Sequence, residues 1–576
     1  MPRQESSAFQ GDNMCGIVGV ISKKRSAEKA LKLIEMINYR GPDHKAVFSH
    51  DLVSVGMCQL QIRLPMSQME IIPFLCNDQR VVAYNGEVYS DDLKSGREEA
   101  EYLLDMVNKK SGSNCMASLI INDNDKITLY RDQFGIKPLF YSFHENNTAA
   151  CSSELTALCN IEDSLKIDDD TLLEIACFGN SLGKNTLFRD IYSVDPGEII
   201  KIDLNGIKSD FVEENKCFSD EKLIDHIRES VKLCTLGNRK MFLALSGGID
   251  STILAYVLNE LDVENIETIS IHIEGSEDYV SNLKELKMPE GGAWEKWKHH
   301  VVPFSAEDFK ECLKESVEIF GMPTYMTSIT LYYALAKKAK ELGCIVMLTG
   351  EGADEMFLGY NTYTDLKNTD DFLEKITGNG RISILKQLFG EGRIDKVTER
   401  FYNTFDTKSS DIAQVIREIE KKISLQPLLQ RQDHIFMRFG IEGRTPFLHS
   451  DIPLMAERIK YEDLVSGTET KKALKQILHD IYGFKGIKKK TAFRSPINEW
   501  FNGELRSWIC EQLIGYKHIY NALKIKEEYV DEIVSSSEWT DDETKVIFFL
   551  ITLGCYMSNP IIDQRFSNDD ISGKAM

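Results

Sequence analysis

Residues 241–251 read Met-Phe-Leu-Ala-Leu-Ser-Gly-Gly-Ile-Asp-Ser, an apolar run that leads directly into a glycine-rich loop. An unbroken apolar stretch of this length is typical of a strand buried on both faces of a parallel sheet. Apolar residues then follow at helical spacing (Ile253, Leu254, Val257 and Leu258). Strand, glycine-rich turn and helix in this order direct backbone N–H groups and a helix N-terminus at a phosphate. The stretch therefore predicts an α/β domain with a phosphate-binding loop.

A second stretch of the same kind lies at residues 345–355, which read Ile-Val-Met-Leu-Thr-Gly-Glu-Gly-Ala-Asp-Glu. Ligands of open α/β sheets bind outside the carboxyl ends of the strands, so both loops should face one crevice. Asp250 and Asp354 could then share Mg²⁺, which proteins usually hold with one or two carboxylates plus substrate phosphates. The alternative is that these acidic residues form a solvated turn.

The N-terminal segment 14–19 reads Met-Cys-Gly-Ile-Val-Gly. If the mature chain starts at Cys15, that residue carries both a thiol and a free α-amine, which together form a nucleophile and its base. We expect residues 1–13 to be an extension that is absent or removed in the mature protein. The alternative is that Cys15 is a small buried residue on a first strand, the usual fate of a lone cysteine.

Segments downstream of Cys15 favour the nucleophile. They are Tyr-Arg-Gly-Pro-Asp at 39–43, Arg63, Tyr-Asn-Gly-Glu at 84–87, and Arg-Asp-Gln-Phe-Gly-Ile-Lys-Pro-Leu at 131–139. In this order they resemble the class II glutamine amidotransferase domain, an N-terminal-nucleophile hydrolase. The resemblance implies a sandwich of antiparallel sheets with helices outside.

By this resemblance Cys15 attacks the carboxamide of glutamine. Asn85 and the backbone N–H of Gly86 would form the oxyanion hole, whose donors face charge that develops in the transition state. Arg63 would grip the α-carboxylate of glutamine, and Glu87 would hold its α-ammonium group.

One carboxylate of the glutamine clamp departs from the family pattern. The family has Asp in a Ser-Asp-x-Glu motif, whereas residues 98–101 here read Glu-Glu-Ala-Glu after a shorter loop. Glu99 is the expected substitute, because it keeps the charge on a side chain one methylene longer.

The second half resembles the asparagine synthetase family. Residues 246–251 are similar to the pyrophosphate loop of ATP pyrophosphatases, and residues 433–448 end in Glu-Gly-Arg-Thr-Pro-Phe-Leu. Residues 490–500 match the pattern Lys-x-Gly-Phe-x-x-Pro-x-x-x-Trp except at Ala492, and residues 471–475 fit Lys-x-x-Leu-Arg with Lys475 for Arg. The implied ATP-binding residues are Leu245, Ser246, Gly247, Gly248, Asp250, Ser251, Thr349 and Gly350.

The resemblance implies a complete reaction. An acceptor carboxylate, aspartate in the family, attacks the α-phosphate of ATP and gives an acyl-adenylate and pyrophosphate. Ammonia from glutamine then displaces AMP, with Glu351 accepting a proton and Lys490 stabilising charge. His434 stands where Arg is usual, and His449 follows Pro-Phe-Leu where the family has Asp. These departures bear on which carboxylate is amidated.

Composition is consistent with a large cytoplasmic enzyme. The chain has 576 residues, 42% of them hydrophobic, which is enough for two cores. Its formal charge of −22 argues against nucleic acid as a partner. We find no apolar run of about 20 residues that could span a membrane. The 13 cysteines form no Cys-x-x-Cys pair, which fits a reducing cytosol.

The expected domains are the amidotransferase domain at 14–210, an α/β synthetase domain at 223–555 and a flexible tail at 556–576. Glutamine, ATP and aspartate or another carboxylate are the expected partners, with Mg²⁺ as cofactor and a homodimer as a candidate assembly. Three functions remain open: asparagine synthetase, the same chemistry on a different carboxylate, and a non-catalytic interaction protein built on this fold.

Overall fold

A computed structural model describes residues 15–565 apart from internal gaps at 24, 60–61, 63–70, 77, 79, 91, 94, 113, 145–147, 214–220, 238, 276–291, 410, 450 and 485–493. Arg63, Lys490 and the predicted extension 1–13 therefore lie outside the described residues.

The described strands, in chain order, are β1 Gly16–Ile21, β2 His44–His50, β3 Val53–Gln59, β4 Phe74–Leu75, β5 Val81–Val88, β6 Cys115–Asp123, β7 Lys126–Arg131, β8 Phe140–His144, β9 Thr148–Ser152, β10 Ile191–Ser193, β11 Glu198–Asp203, β12 Gly206–Phe211, β13 Met241–Ala244, β14 Ile266–Ile273, β15 His299–Phe304, β16 Val346–Leu348 and β17 Glu442–Arg444.

The described α-helices, in the same order, are α1 Ser26–Met36, α2 Gly96–Lys109, α3 Leu155–Ile161, α4 Asp169–Phe178, α5 Leu223–Cys234, α6 Ile249–Glu260, α7 Ala306–Phe320, α8 Ser328–Glu341, α9 Ala353–Met356, α10 Thr369–Thr377, α11 Gly380–Phe389, α12 Glu391–Thr404, α13 Ile412–Glu420, α14 Gln426–Arg438, α15 Ile452–Glu457, α16 Tyr461–Leu464, α17 Lys472–Tyr482, α18 Ile497–Asn502, α19 Arg506–Gly515, α20 Lys517–Ala522, α21 Glu527–Ser535, α22 Asp541–Met557 and α23 Pro560–Asp563. A π-helical segment, Lys421–Leu425, joins α13 to α14.

The N-terminal half is a sandwich of two antiparallel sheets. One has the order β10-β8-β9-β1-β3-β2 and the other β12-β11-β7-β6-β5-β4. Alternate side chains of both sheets meet in one apolar core that includes Ile17, Val55, Ile120 and Leu129. Gly19 lies in this layer, where a Cβ would come within 3.1 Å of Ile120. Helices α1 and α2 pack outside the sandwich, as the resemblance implies.

The C-terminal half contains a parallel sheet in the order β15-β14-β13-β16-β17. The apolar runs noted in the sequence form β13 and β16, which are neighbours in register from Met241 opposite Val346 to Leu243 opposite Leu348. Because parallel neighbours end at the same edge, the two glycine-rich loops lie side by side. The chain thus has the expected fold class, a sandwich followed by an α/β parallel-sheet domain.

Residues 556–565, which the sequence analysis assigned to a flexible tail, are largely helical in the structure. Helix α22 continues to Met557, and α23 follows with Ile562 fully buried. The Arg565 side chain donates to the carbonyls of Asn160 and Glu162 at the end of α3. These contacts hold the described end of the chain against the N-terminal domain.

Candidate active sites

Cys15 lies immediately before β1 and is partly buried, against the sandwich core on one side and the hydrophobic cluster that continues into the C-terminal half on the other. Its carbonyl oxygen accepts a hydrogen bond from Nε of Arg40 at 3.3 Å. Arg40 belongs to the Tyr-Arg-Gly-Pro-Asp motif and is completely buried. One function of that motif is therefore to fix the backbone of the predicted nucleophile.

Asn85 and Gly86 lie on the central part of β5. The Asn85 side chain is 1% exposed, and its Nδ2 has no hydrogen-bond partner among the described residues. A buried amide nitrogen normally finds an acceptor, so one without a partner is suited to a ligand oxygen. Gly86 has φ 134°, and a Cβ there would lie 1.8 Å from the Met116 carbonyl oxygen. The backbone at this point therefore requires glycine.

The carboxylates of Glu87 and Glu99 are gathered around Tyr84. The Tyr84 hydroxyl donates to Glu99 at 3.2 Å. Burial raises the pKa of Tyr84 well above its ordinary value, and the nearby Glu99, Cys15 and Glu87 raise it further. Glu99 is in the first turn of α2 and is 4% exposed. The structure thus brings together the thiol and both predicted glutamine-clamp carboxylates that it describes.

Glu87 also faces the C-terminal domain. Its Oε1 lies 3.7 Å from Nη2 of Arg444 on β17. Arg444 also donates to Glu442 and to the carbonyls of Cys234 and Leu236. The carboxylate predicted to hold the ammonium group of glutamine is therefore in contact with both halves of the molecule.

The loop after β13 is held by its own serines. The Ser251 hydroxyl accepts from the Ser246 backbone N–H at 3.2 Å, and the Ser246 hydroxyl accepts from the Gly248 N–H at 3.3 Å. Gly247 has φ 72°, a left-handed conformation that favours glycine. Leu245 is tied to β14 through the Ile269 carbonyl. This loop leads into α6, whose N-terminus carries Asp250.

The loop after β16 contacts the first loop directly. A Cβ on Gly350 would lie 2.7 Å from Cβ of Asp250, so this close approach requires glycine. Thr349 donates from its hydroxyl to Gln432 on α14 at 2.5 Å. All of the predicted ATP-binding residues therefore line adjacent loops at one edge of the sheet.

Lys471 lies between the two predicted metal-binding carboxylates. Its Nζ is 2.5 Å from Oδ2 of Asp250 and 2.9 Å from Oδ1 of Asp354. Burial disfavours its charge, yet the two carboxylates raise the pKa of Lys471 above its ordinary value. Its backbone has φ 52°, a strained conformation for a residue other than glycine. The sequence pattern contained Lys471, but nothing in it indicated this position.

The donor set fits Mg²⁺ in part. Carboxylate oxygens are the ligands this ion prefers, and those of Asp250 and Asp354 already converge on a cation, the Lys471 ammonium group. Among the described residues, no group of three or more His, Cys, Asp or Glu side chains could hold a metal ion. Mg²⁺ would therefore be bound by these two residues together with substrate phosphates, and would share them with Lys471.

Glu351 is paired with Arg431 of α14, which the sequence analysis missed. Arg431 Nη2 lies 2.5 Å from Glu351 Oε1, and the Tyr332 hydroxyl donates to the same oxygen. The guanidinium group also stacks over the Tyr332 ring at 3.9 Å. Although burial opposes it, Glu351 raises the pKa of Arg431. The predicted proton acceptor thus lies beside a permanent, buried positive charge.

His434 and His449 have their contacts where the two domains meet. His434 Nδ1 lies 3.1 Å from the Phe320 carbonyl oxygen, and its Nε2 lies 3.6 Å from Glu154 of the N-terminal domain. The His449 ring packs on Tyr89, with centroids 4.2 Å apart. The two histidines that depart from the family pattern therefore contribute to contacts between the domains more directly than to the surroundings of Glu351.

A partly open cleft also lies between the two halves. Arg131 and Asp195 line it from one side, and Lys422 and Gln426 from the other. Its lining contains none of the predicted site residues that the structure describes.

Within the described part of the chain, no helix is long and apolar enough to cross a membrane.

Two protein-family profiles match this chain. The family profile described as asparagine synthase matches residues 222–552, and that described as glutamine amidotransferase domain matches residues 14–212. An asparagine synthetase [glutamine-hydrolyzing] 1 of Bacillus subtilis is 25% identical over 97% of this chain and 99% of its own length. A putative asparagine synthetase [glutamine-hydrolyzing] 2 of Methanocaldococcus jannaschii is 24% identical over 79% of this chain and 95% of its own.

One solved structure, described as the allosteric regulatory enzyme of purine biosynthesis, shares 12% identity over 50% of this chain and 80% of its own, with a TM-score of 0.26. That likeness is too weak to support a conclusion. The asparagine synthase profile, in contrast, spans more than half of the chain. With an amidotransferase domain ahead of it, this chain belongs to the glutamine-hydrolysing asparagine synthetase family.

Proposed function

We propose that this protein amidates a carboxylate, with aspartate as the first candidate, using glutamine as nitrogen donor and ATP as energy source. The products are the amide, glutamate, AMP and pyrophosphate. The observation that carries the proposal is the convergence of Asp250, Asp354 and Lys471 beside the glycine-rich loops. A solvated turn would not place a buried lysine between two carboxylates.

In the first half-reaction the thiol of Cys15 attacks the carboxamide carbon of glutamine. The α-amine of a mature N-terminal Cys15 takes the thiol proton and passes it to the leaving ammonia. Nδ2 of Asn85 and the N–H of Gly86 donate to the oxyanion that forms. Water then hydrolyses the thioester to glutamate. In this proposal Glu87 holds the α-ammonium group, Glu99 completes the clamp around the amino acid, and Arg63 grips the α-carboxylate.

In the second half-reaction a carboxylate oxygen of the acceptor attacks the α-phosphorus of ATP, and pyrophosphate leaves. Backbone N–H groups of residues 246–251 and the start of α6 face the phosphates. We infer that Lys471, which contacts Asp250 and Asp354, stabilises charge on the phosphoryl oxygens, a role that the sequence analysis gave to Lys490 alone. Asp250 and Asp354 would hold Mg²⁺, which would neutralise negative charge on the triphosphate.

Amide formation is proposed to take place beside Glu351. Ammonia attacks the acyl carbon, Glu351 accepts a proton from the nitrogen, and AMP leaves with the bonding electrons. Because Arg431 is ion-paired with Glu351, a second carboxylate on the acceptor could compete for that guanidinium group. Such an exchange would bring the acceptor to the site and release Glu351 to accept a proton.

The proposal is tested with purified protein, glutamine or ammonium, ATP, Mg²⁺ and a panel of carboxylates that includes aspartate and glutamate. AMP and amide are followed by mass spectrometry. Equal amounts of asparagine and AMP with aspartate support the proposal. Amidation of a different acceptor would establish the same chemistry on another substrate. No AMP with any acceptor would indicate a non-catalytic protein.

Cys15→Ala is the matched control for the nitrogen source. It removes the thiol and leaves the C-terminal site unchanged. Glutamine-dependent amide formation should be lost, whereas ammonium-dependent formation should persist. Equal loss with both donors would show that Cys15 is structural.

A further inference from the structure

Helix α14 contacts both candidate active sites through neighbouring side chains. Arg431 pairs with Glu351, and Gln432 accepts a hydrogen bond from Thr349, both at the synthetase site. The next residue, Asp433, points to the other domain, where its Oδ2 accepts from Nη2 of Arg40 at 2.6 Å. One rigid element therefore connects the loop after β16 with the residue that holds Cys15.

The N-terminal end of this connection is short and buried. Arg40 uses Nε for the Cys15 carbonyl, Nη1 for Glu154 and Nη2 for Asp433. Lys137, from the segment 131–139, donates to the other oxygen of Asp433 at 3.2 Å. All four ionic residues are at most 5% exposed. One side chain, that of Arg40, thus joins Asp433 to the backbone of the nucleophile through two hydrogen bonds.

The charges in this cluster favour a fixed geometry. Arg40 and Lys137 balance Glu154 and Asp433, so the cluster is neutral although it is buried. Burial alone would favour protonation, but Arg40 and Lys137 lower the pKa of Asp433 below its ordinary value. Because a buried charge without a partner is costly, Arg40 should follow Asp433 when α14 moves.

We propose that Asp433 is a positioning residue that links occupancy of the synthetase site to the orientation of Cys15. The proposal rests on the proposed function, since it takes ATP and the acceptor to bind beside Thr349, Glu351 and Arg431. When Arg431 exchanges Glu351 for a ligand, α14 shifts and carries Asp433 with it. Arg40 then moves the Cys15 carbonyl and aligns the thiol with Asn85.

Linkage makes the effect reciprocal. If ligands at the synthetase site favour one position of Cys15, a ligand on Cys15 must favour binding at the synthetase site by the same factor. Couplings of this kind typically change an affinity about 5- to 150-fold. The effect should therefore be measurable from either end.

The test uses alkylation of Cys15 by a diazoketone analogue of glutamine in the full-length protein. In the wild type, ATP with Mg²⁺ and the acceptor should change the analogue concentration that gives half-maximal alkylation rate about five-fold or more. In Asp433→Asn this dependence should disappear, while ammonium-dependent AMP formation persists. Lys422→Gln is the matched control, because it breaks another ion pair between the domains, to Asp195 at 2.9 Å, without touching Arg40. It should keep the dependence.

A second variant distinguishes loss of the proposed link from loss of folding. Asp433→Asn combined with Lys137→Gln keeps the cluster neutral and should behave as Asp433→Asn does. An unchanged ligand dependence in Asp433→Asn, or none in the wild type, would overturn the proposal. Loss of ammonium-dependent AMP formation in both variants would overturn it too, because Asp433 would then be a structural residue.

Failure of the proposed function is distinguishable from failure of this linkage. A wild type that forms no AMP with ammonium and any acceptor fails the first proposal. The linkage is then judged by the effect of ATP with Mg²⁺ alone on Cys15 alkylation.

Discussion

The side-chain amide of Asn85 is buried, and its nitrogen donates no hydrogen bond to any residue that the structure describes. We predict that Asn85→Ala lowers the kcat of glutamine hydrolysis about 10²- to 10³-fold, the usual loss for one oxyanion donor. A steady-state assay of glutamate release measures it. Ammonium-dependent synthesis in the same variant is the control and should stay near the wild-type rate. A loss confined to KM would instead indicate that Asn85 binds glutamine.

The role of Lys471 can be tested by comparing its substitution with that of the adjacent Lys472. Lys471→Ala would leave Asp250 and Asp354 facing each other without a cation, and we predict that ATP–pyrophosphate exchange falls on the order of 10²-fold or more. Lys472→Ala is the control, because that side chain reaches the Glu462 carbonyl on the surface instead. Comparable loss in both variants would mean that the whole segment, and not the ammonium group of Lys471, is needed.

His449 should make stability depend on pH. Burial, together with the nearby Arg444, lowers the pKa of His449 to about 3. Between this value and the ordinary value near 6.5, the unfolded chain binds more protons, so the stabilisation present above pH 6.5 is lost as the pH falls. On lowering the pH from about 7.5 to about 5, the wild type should lose about 2 kcal/mol more unfolding free energy than His449→Gln.

Urea unfolding of the two proteins at both pH values measures this difference. His518→Gln is the control, because His518 is exposed. Identical pH dependence in wild type and His449→Gln would show that His449 is protonated without cost in the folded protein.

The sequence supplied most of the chemistry at this scale and missed the residues that depend on distant contacts. Asn85 and Asp250 lie within short motifs that can be recognised locally. The position of Lys471 depends on segments near residues 250, 354 and 471 meeting in space, which no local pattern records. Arg431 was missed for the same reason, since its partner Glu351 is 80 residues away.

At the scale of elements, β5 is the strand on which the glutaminase site depends most. Gly86→Ala would place a Cβ against the Met116 carbonyl at 1.8 Å and strain a backbone with φ 134°. We predict that β5 and β6 separate locally, that the melting temperature falls, and that glutamine hydrolysis is lost. Gly392→Ala in α12 is the control; with open space around it, it should keep the wild-type melting temperature or raise it slightly.

Differential scanning calorimetry together with glutamate release checks both variants. A Gly86→Ala protein with wild-type melting temperature and activity would show that β5 tolerates a side chain there.

Elements with a strong apolar pattern were predictable, and short polar elements were not. The runs at 241–245 and 345–348 predicted β13 and β16 because a central parallel strand is buried on both faces. Strand β17 reads Glu-Gly-Arg and shows no apolar pattern. Its burial is made possible by the pairing of Arg444 with Glu442 and by the hydrogen bonds from Arg444 to the carbonyls of Cys234 and Leu236. Helix α23 was missed because it packs on α3, which is far away in sequence, as well as on the preceding helix α22.

At the scale of the whole molecule, the two halves form one continuous structure. A single hydrophobic cluster runs from α1 and α3 of the sandwich through the parallel sheet to α22. Ion pairs add to it, among them Arg393 with Asp169 and Arg400 with Asp170. The sequence predicted the two domains from their motifs but not this interface, because charged stretches there resemble solvated helix faces.

The central claim is that this single chain activates a carboxylate as an acyl-adenylate. The most direct measurement uses the acceptor with ¹⁸O in its reacting carboxylate, together with ATP, Mg²⁺ and glutamine. Because a carboxylate oxygen attacks the α-phosphorus and leaves with it, AMP should contain one ¹⁸O atom for each amide formed. Mass spectrometry of the nucleotide reads this directly. Unlabelled AMP, or ¹⁸O in inorganic phosphate with ADP as the nucleotide product, would contradict the claim.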